Sequence, residues 1–268
     1  MDDTVQVVAS GPVRAALNFA ADRSDDGVWS NYSPEIRTQK LAAVPVDFTD
    51  ARDLVEPASL EREGFELHSL PLGEYHWHDQ EWLAQVYVPR SVELVREVTG
   101  APVVAPFLEG MTMIRDSGNA EFPPAADFVH FDQSRQSVGQ FIDLAAPSDY
   151  AHVQLFNLWR VMTPPPQDVP LALCDQRSVD EADFVFGNTV EPGMTEGSPY
   201  TCSVFNPAQR WHYFSGLTSD NVIVFKQFDS RPGEPMGCLH GAFAWPETLP
   251  GAAPRASMEL RIFAFYEE

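Results

Sequence analysis

Two short segments 110 residues apart carry the side chains best suited to chemistry. The first is Val129-His130-Phe131-Asp132-Gln133-Ser134, and the second is Leu239-His240-Gly241-Ala242-Phe243. Between them they offer two imidazoles and one carboxylate, a set that holds a non-heme Fe(II) on one face and leaves the opposite face open. On an extended backbone the period of two points His130 and Asp132 to the same side. Both can then grip one metal, with His240 arriving from a distant strand. Fifteen residues beyond His240, Arg255-Ala256-Ser257 repeats the same spacing. An arginine fork beside a hydroxyl is a good receptor for a carboxylate. These pieces together point to chemistry that uses Fe(II), 2-oxoglutarate as cosubstrate, and O2.

Elements able to carry these residues can be read from periodicity. Short strands are expected at 152–159, 171–174, 200–205, 211–214, 222–228 and 257–265, with proline clusters such as Pro164-Pro165-Pro166 between them. In the last of these Met258, Leu260 and Ile262 alternate with Glu259 and Arg261. Residues 133–144 read as a helix with Val138, Phe141, Ile142 and Leu144 near one face. The front of the chain reads as mixed. It has an apolar stretch at 13–19, a strand at 44–48, and a helical pattern at 81–98 interrupted at Pro89 and stopped by Gly100. A buried strand at 101–107 follows. Many short strands with turn signals between them suggest a sandwich or jelly roll. The expectation is one domain over 1–268, mainly β with flanking helices. An α/β front portion occupies 1–128, and the metal- and cosubstrate-binding β portion occupies 129–268.

Composition narrows the partners. With 44% hydrophobic and 12% aromatic residues the chain has the makings of a folded core. A net charge of −22 argues against nucleic acid and against an anionic membrane surface, both of which need a basic footprint. Any anionic cosubstrate must find a locally positive pocket, and Arg255 is placed to make one. No apolar run is long enough to cross a bilayer, and the acidic start Met1-Asp2-Asp3-Thr4 is unlike a secretory signal. Three cysteines without a CxxC pair favour a reducing cytoplasm over a disulfide framework. A small-molecule substrate is expected, and the sequence leaves the oligomeric state open. The aromatics Trp159, Phe205, Trp211 and Phe243 could line a compact apolar pocket or simply fill the core.

Other residues compete for attention. His76-Trp77-His78-Asp79 also presents two imidazoles, but no glycine pattern of a cupin follows, and the segment reads as a loop before a helix. His68 and His152 are lone histidines, and Cys238 reads as a small buried thiol. In a strand Asn157 and Arg160 point to opposite faces, so at most one faces the pocket, with Trp159 on the other side. Tyr213 and Lys226 carry the same choice between a structural role and a cosubstrate contact.

Several strings taken together resemble a known group. They are Asn157-Leu158-Trp159-Arg160, Pro170-Leu171-Ala172-Leu173-Cys174-Asp175, Trp211-His212-Tyr213-Phe214-Ser215-Gly216-Leu217, and Val224-Phe225-Lys226-Gln227-Phe228-Asp229-Ser230. His240-Gly241-Ala242-Phe243 and Pro254-Arg255-Ala256-Ser257-Met258-Glu259-Leu260-Arg261 complete the set. The chain resembles the hydroxylase/desaturase family of fungal and bacterial secondary metabolism. The resemblance implies a double-stranded β-helix (cupin-like) core, Fe(II) with 2-oxoglutarate, and oxidation of an unactivated C–H bond. It places the metal ligands on His130, Asp132 and His240, and the carboxylate-binding arginine on Arg255, with Arg261 in competition. Gly241, where a bulkier polar residue is common, and His212, in place of an aromatic, depart from the pattern and bear on the substrate pocket. Two other classes stay open: a cupin-like isomerase or lyase without 2-oxoglutarate, and a non-catalytic partner of a biosynthetic enzyme.

Overall fold

A computed structural model describes residues 11–24, 26–147, 149–194, 196–247 and 250–267. The front of the chain contributes β1 (Val13–Ala20), β2 (Gly27–Trp29), β3 (Leu41–Asp50), β4 (Phe65–Ser69), β5 (Val103–Pro106) and β6 (Thr112–Asp116). After β7 (His130–Phe131) come β8 (His152–Val161), β9 (Leu171–Cys174), β10 (Phe184–Thr189), β11 (Ser198–Ser203) and β12 (Trp211–Tyr213). The last three are β13 (Asn221–Asp229), β14 (His240–Ala242) and β15 (Ala256–Tyr266). One sheet runs β1-β3-β12-β9-β14-β7-β11-β10-β2. The other runs β4-β13-β8-β15-β5, with β6 pairing beside β5 along the same edge of β15. This is the jelly-roll, double-stranded β-helix architecture. Strands from both ends of the chain interleave in both sheets, so the front portion, with six strands and the covering helix among the described residues, forms no layer of its own.

Strands β8 and β15 are buried along both faces, which requires cover on each side. On the outer face of β15, Met258, Leu260, Ile262 and Ala264 meet Leu94 and Val95 of a helix packed over the sheet, and Phe156 and Leu158 of β8 join them. By alternation the inner face, between the two sheets, carries Ser257, Glu259 and Arg261 and then Phe263 and Phe265. The inward-facing polar run marks where the sandwich opens into a pocket instead of closing as core.

The covering helix is continuous where the sequence pattern suggested a break. It comprises α1 (Gln80–Trp82), a π-helical turn over Leu83–Tyr87, and α2 (Val88–Thr99). Pro89 sits in the first turn of α2, and the wider turn before it absorbs the missing N–H. Asp79 caps the start by accepting the Glu81 and Trp82 N–H groups, and Gly100 closes the end at φ 66. Helix α3 (Arg135–Ala145) begins at Ser134, whose hydroxyl accepts the Ser137 N–H. Val138 and Ile142 are buried under it, but Leu144 points to solvent.

Arg160 belongs to the outer face of β8. Its guanidinium donates to the Leu70 carbonyl (3.0 Å) and the Ser219 carbonyl (2.8 Å) and lies over the Tyr87 ring. It therefore ties the covering segments to the sheet and makes no approach to the pocket, contrary to its expected place as a cosubstrate contact. Arg160→Met keeps the bulk but strands both carbonyls, each costing roughly 1–3 kcal/mol when left unpaired. Urea unfolding should show that loss of stability, with affinity for 2-oxoglutarate unchanged.

Candidate metal and cosubstrate site

His130 and His240 face each other across the antiparallel β7–β14 pair, and Asp132 follows directly on β7. One donor atom from each of the three lies within 4.8 Å of the others. His130 Nε2 is 3.6 Å from Asp132 Oδ1, and His240 Nε2 is 3.8 Å from Asp132 Oδ2. His130 Nδ1 is 2.8 Å from the Phe128 carbonyl, which can only accept. The proton therefore sits on Nδ1 and the Nε2 lone pair points into the site, as a metal requires. Among the described residues no other group of histidine, cysteine and carboxylate side chains converges in this way. Gly241 is required by the same crowding. A Cβ there would come within 2.6 Å of the Phe128 carbonyl oxygen, so the bulkier residue expected from the resemblance has no room.

A ring of polar side chains holds the ligands. Asn157 Nδ2 donates to Asp132 Oδ2 at 2.6 Å, and Arg261 Nη2 lies 3.0 Å from Asp132 Oδ1. Arg261 also binds Glu259 at 2.8 Å, so it is spent on two carboxylates and is not free for a third. Gln227 Oε1 accepts the Asp132 N–H (3.1 Å), while its Nε2 donates to the Cys238 carbonyl (3.2 Å) and lies 3.4 Å from His240 Nδ1. Gln227 can do this because the β13–β8 register slips between Lys226 and Phe228, and the extra residue is re-aimed inward.

Electrostatics follow from this packing. Burial pushes the Asp132 carboxyl up, but the Arg261 guanidinium, with the His130 and His240 rings beside it, holds it well below the ordinary range. Burial, reinforced by the Asp132 charge, raises Glu259. Burial and the neighbouring His130 ring keep His240 neutral down to about 3.

Arg255 lies on the same inner face, at the far end of the pocket that it shares with the three ligands. It is 3% exposed, and its Nη1 donates to the Val169 carbonyl at 3.0 Å. Its Nε has no hydrogen-bond partner, and it forms no ion pair among the described residues although Asp168 is near. Burial, together with the Arg115 charge, lowers its pKa to about 9. Ser257, buried two residues on, lines the same wall. An orphaned buried guanidinium beside a hydroxyl fits an absent carboxylate, and the donor set fits Fe(II).

The remaining sequence expectations sort by burial. Asn157 contacts Asp132, and Trp159 lines the pocket on the same side of β8 as Asn157, not on the other. Tyr213 packs against Phe243 and Trp245 inside the larger sheet, away from the pocket. Lys226 is buried beside Asp229. Trp211 and Phe243 are core, Phe205 is largely at the surface, and His212 packs on Phe65, so none of these lines the pocket. His76 and His78 are exposed before α1, His68 pairs with Glu66, and His152 stacks on Tyr266. Cys238 is a fully buried thiol, raised by that burial and donating to the Cys174 carbonyl. Gln227 and Glu259 are site residues the sequence reading passed over.

A jelly roll that brings two histidines and an aspartate into a buried pocket ending at an arginine defines the non-heme iron oxygenase class. The chain belongs to the family described as the oxidoreductase/YMDC permease-like domain, which matches residues 17–265. Among the described residues no helix is long and apolar enough to cross a membrane. The chain is 25% identical to the hydroxylase/desaturase efuI of Hormonema carpetanum over 97% of each protein. It is 28% identical to the Fe(II)/2-oxoglutarate-dependent dioxygenase nvfI of Aspergillus novofumigatus, over 81% of this chain and 76% of that one. A solved structure of the iron and alpha-ketoglutarate-dependent endoperoxidase NvfI shares the fold, with a TM-score of 0.83 at 23% identity over 96% of this chain and 99% of that one.

The neutral state of His240 has a consequence for pH. The unfolded chain takes up a proton at this ring near 6.5, whereas the folded, metal-free protein does so only near 3. This contribution to stability is complete above about 6.5 and is lost as pH falls toward 3. Ring NMR of the metal-free protein should show His240 not titrating between about pH 5 and about pH 8. A midpoint near 6.5 would contradict the burial argument.

Proposed function

We propose that the protein is an Fe(II)/2-oxoglutarate-dependent dioxygenase that oxidises a C–H bond of a small natural-product or amino-acid-derived molecule by hydroxylation, desaturation or oxidative cyclisation. The observation that carries this reading is the pocket itself, with a two-histidine, one-carboxylate set at one end and an unpaired arginine at the other. The iron, when bound, supplies O2 activation coupled to oxidative decarboxylation of 2-oxoglutarate.

The chain's own residues do the rest. His130, Asp132 and His240 would hold the metal, with the Phe128 carbonyl fixing one imidazole and Gln227 accepting from the Asp132 N–H. Arg255 offers its open edge, and Ser257 its hydroxyl, to the far carboxylate of 2-oxoglutarate. Depth in the sandwich keeps water away from both ends of the cosubstrate, which strengthens these contacts. Arg261 serves Asp132 instead, which separates the two arginines that the sequence left in competition. A buried, unpaired Arg255 also weighs against an isomerase or lyase that binds no dicarboxylate, since such an enzyme would have no use for it. Three buried cysteines, none of them in a disulfide, suit a reducing cytoplasm.

Two experiments test this reading. Purified anaerobically, the protein should bind one Fe(II) per chain, and added 2-oxoglutarate should give a weak visible band. Alanine at His130, Asp132 or His240 should abolish that band while far-UV circular dichroism is retained, and retention of iron and band after His240→Ala would refute the ligand set. Arg255→Ala should weaken 2-oxoglutarate binding about ten- to a hundredfold, the usual worth of a charge-assisted pair. Arg255→Lys should recover only part, since an ammonium lacks the fork. A larger effect from removing Arg261 than Arg255, with metal still bound, would reassign the anchor.

A further inference from the structure

The pocket contains a second guanidinium without an anion. Arg115 of β6 lies opposite Ser257 of β15 and lines the same cavity as Arg255. Its two hydrogen bonds go to neutral acceptors, the Pro124 carbonyl at 3.1 Å and Asn31 Oδ1 at 3.0 Å. It forms no ion pair among the described residues, and the nearby Glu259 is bound to Arg261. Asn31 is fixed in turn, because Glu191 Oε1 accepts from both its N–H (2.6 Å) and its Nδ2 (2.8 Å). Glu191 therefore orients the amide and leaves its oxygen to Arg115, rather than neutralising the guanidinium itself.

Arg115 and Arg255 differ in depth. Arg255 is 3% exposed, whereas Arg115 is half-buried and held by segments at the surface: Pro124 is exposed, and Tyr32 next to Asn31 is 55% exposed. The cosubstrate has one far carboxylate, and Arg255 with Ser257 meets it from the buried end. Arg115 is the less buried of the two and shares the cavity with Met113, Ala126, Trp159 and Leu171. A half-buried cation that shares a cavity with these apolar side chains selects an apolar body bearing one negative group.

We propose that Arg115 anchors a carboxylate of the substrate, which makes the substrate class small apolar carboxylic acids. The proposal rests on the assignment of Arg255 to 2-oxoglutarate. The test loads the protein with Mn(II) in place of iron, so that nothing turns over, and saturates it with 2-oxoglutarate. Phenylbutanoate, decanoate and indoleacetate are then compared with their primary amides, reading broadening of ligand proton signals by the bound manganese. At least one acid should bind about tenfold or more tightly than its amide. Arg115→Gln should erase that preference, Arg115→Lys should keep part of it, and both should leave 2-oxoglutarate affinity within about threefold, which also reports that the pocket is folded. Acids that bind no tighter than amides, or a preference that survives Arg115→Gln, overturn the proposal. Loss of 2-oxoglutarate binding in Arg115→Gln equal to that in Arg255→Gln overturns it too, by giving both arginines to the cosubstrate. Failure of the underlying reading would look different: 2-oxoglutarate would not bind the Mn(II) protein, or would bind Arg255→Gln as well as the parent.

Discussion

Asp132 is a buried carboxylate, and most of the site is an answer to the cost of burying it. An isolated charge at that depth would be prohibitively unfavourable, so it is met by a guanidinium on one oxygen and an amide on the other, while its own N–H is taken by Gln227. Each partner comes from a different strand: Arg261 from β15, Asn157 from β8 and Gln227 from β13. The carboxylate therefore cannot be placed correctly unless three adjacent strands of the smaller sheet are in register. The metal ligands sit on the opposite sheet, so the ring around Asp132 is also a polar seam that joins the two sheets across the sandwich.

The same logic explains why the inner faces of β8 and β15 change character partway along. Toward their outer ends Leu155, Phe263 and Phe265 close the sandwich as ordinary core. Toward the pocket, Asn157, Glu259 and Arg261 replace them, and each is tied into the Asp132 network. Burying such groups without partners would destabilise the fold, and with partners they give the pocket a fixed shape before any ligand arrives.

Much of this was legible in the sequence, because a period of two survives wherever one face of a strand differs from the other. The last strand showed it plainly: Met258, Leu260 and Ile262 alternate with polar residues, and that alternation already placed Glu259 and Arg261 on the face of Ser257. β8 was harder. It is buried on both faces, so nothing in the order Asn157-Leu158-Trp159-Arg160 said which face was the pocket, and Arg160 proved to serve the helix side. Gln227 could not be found by pattern at all, since it owes its aim to a register slip that exists only once β13 and β8 are paired. Pro89 misled for a related reason: a proline ends a helix only if the turn before it cannot widen.

β15 also sets a length. On the proposed reading the start of the strand, at Arg255 and Ser257, receives the far carboxylate of the cosubstrate, while Arg261, midway along it, fixes the carboxylate that holds the metal. Between Ser257 and Arg261 lie four steps of an extended chain, at roughly 3.3 Å each. That stretch is clamped by β8 on one side and β6 and β5 on the other, so it neither stretches nor coils. On the proposed reading the spacing between the two ends of the cosubstrate site is therefore set by paired backbone rather than by movable side chains.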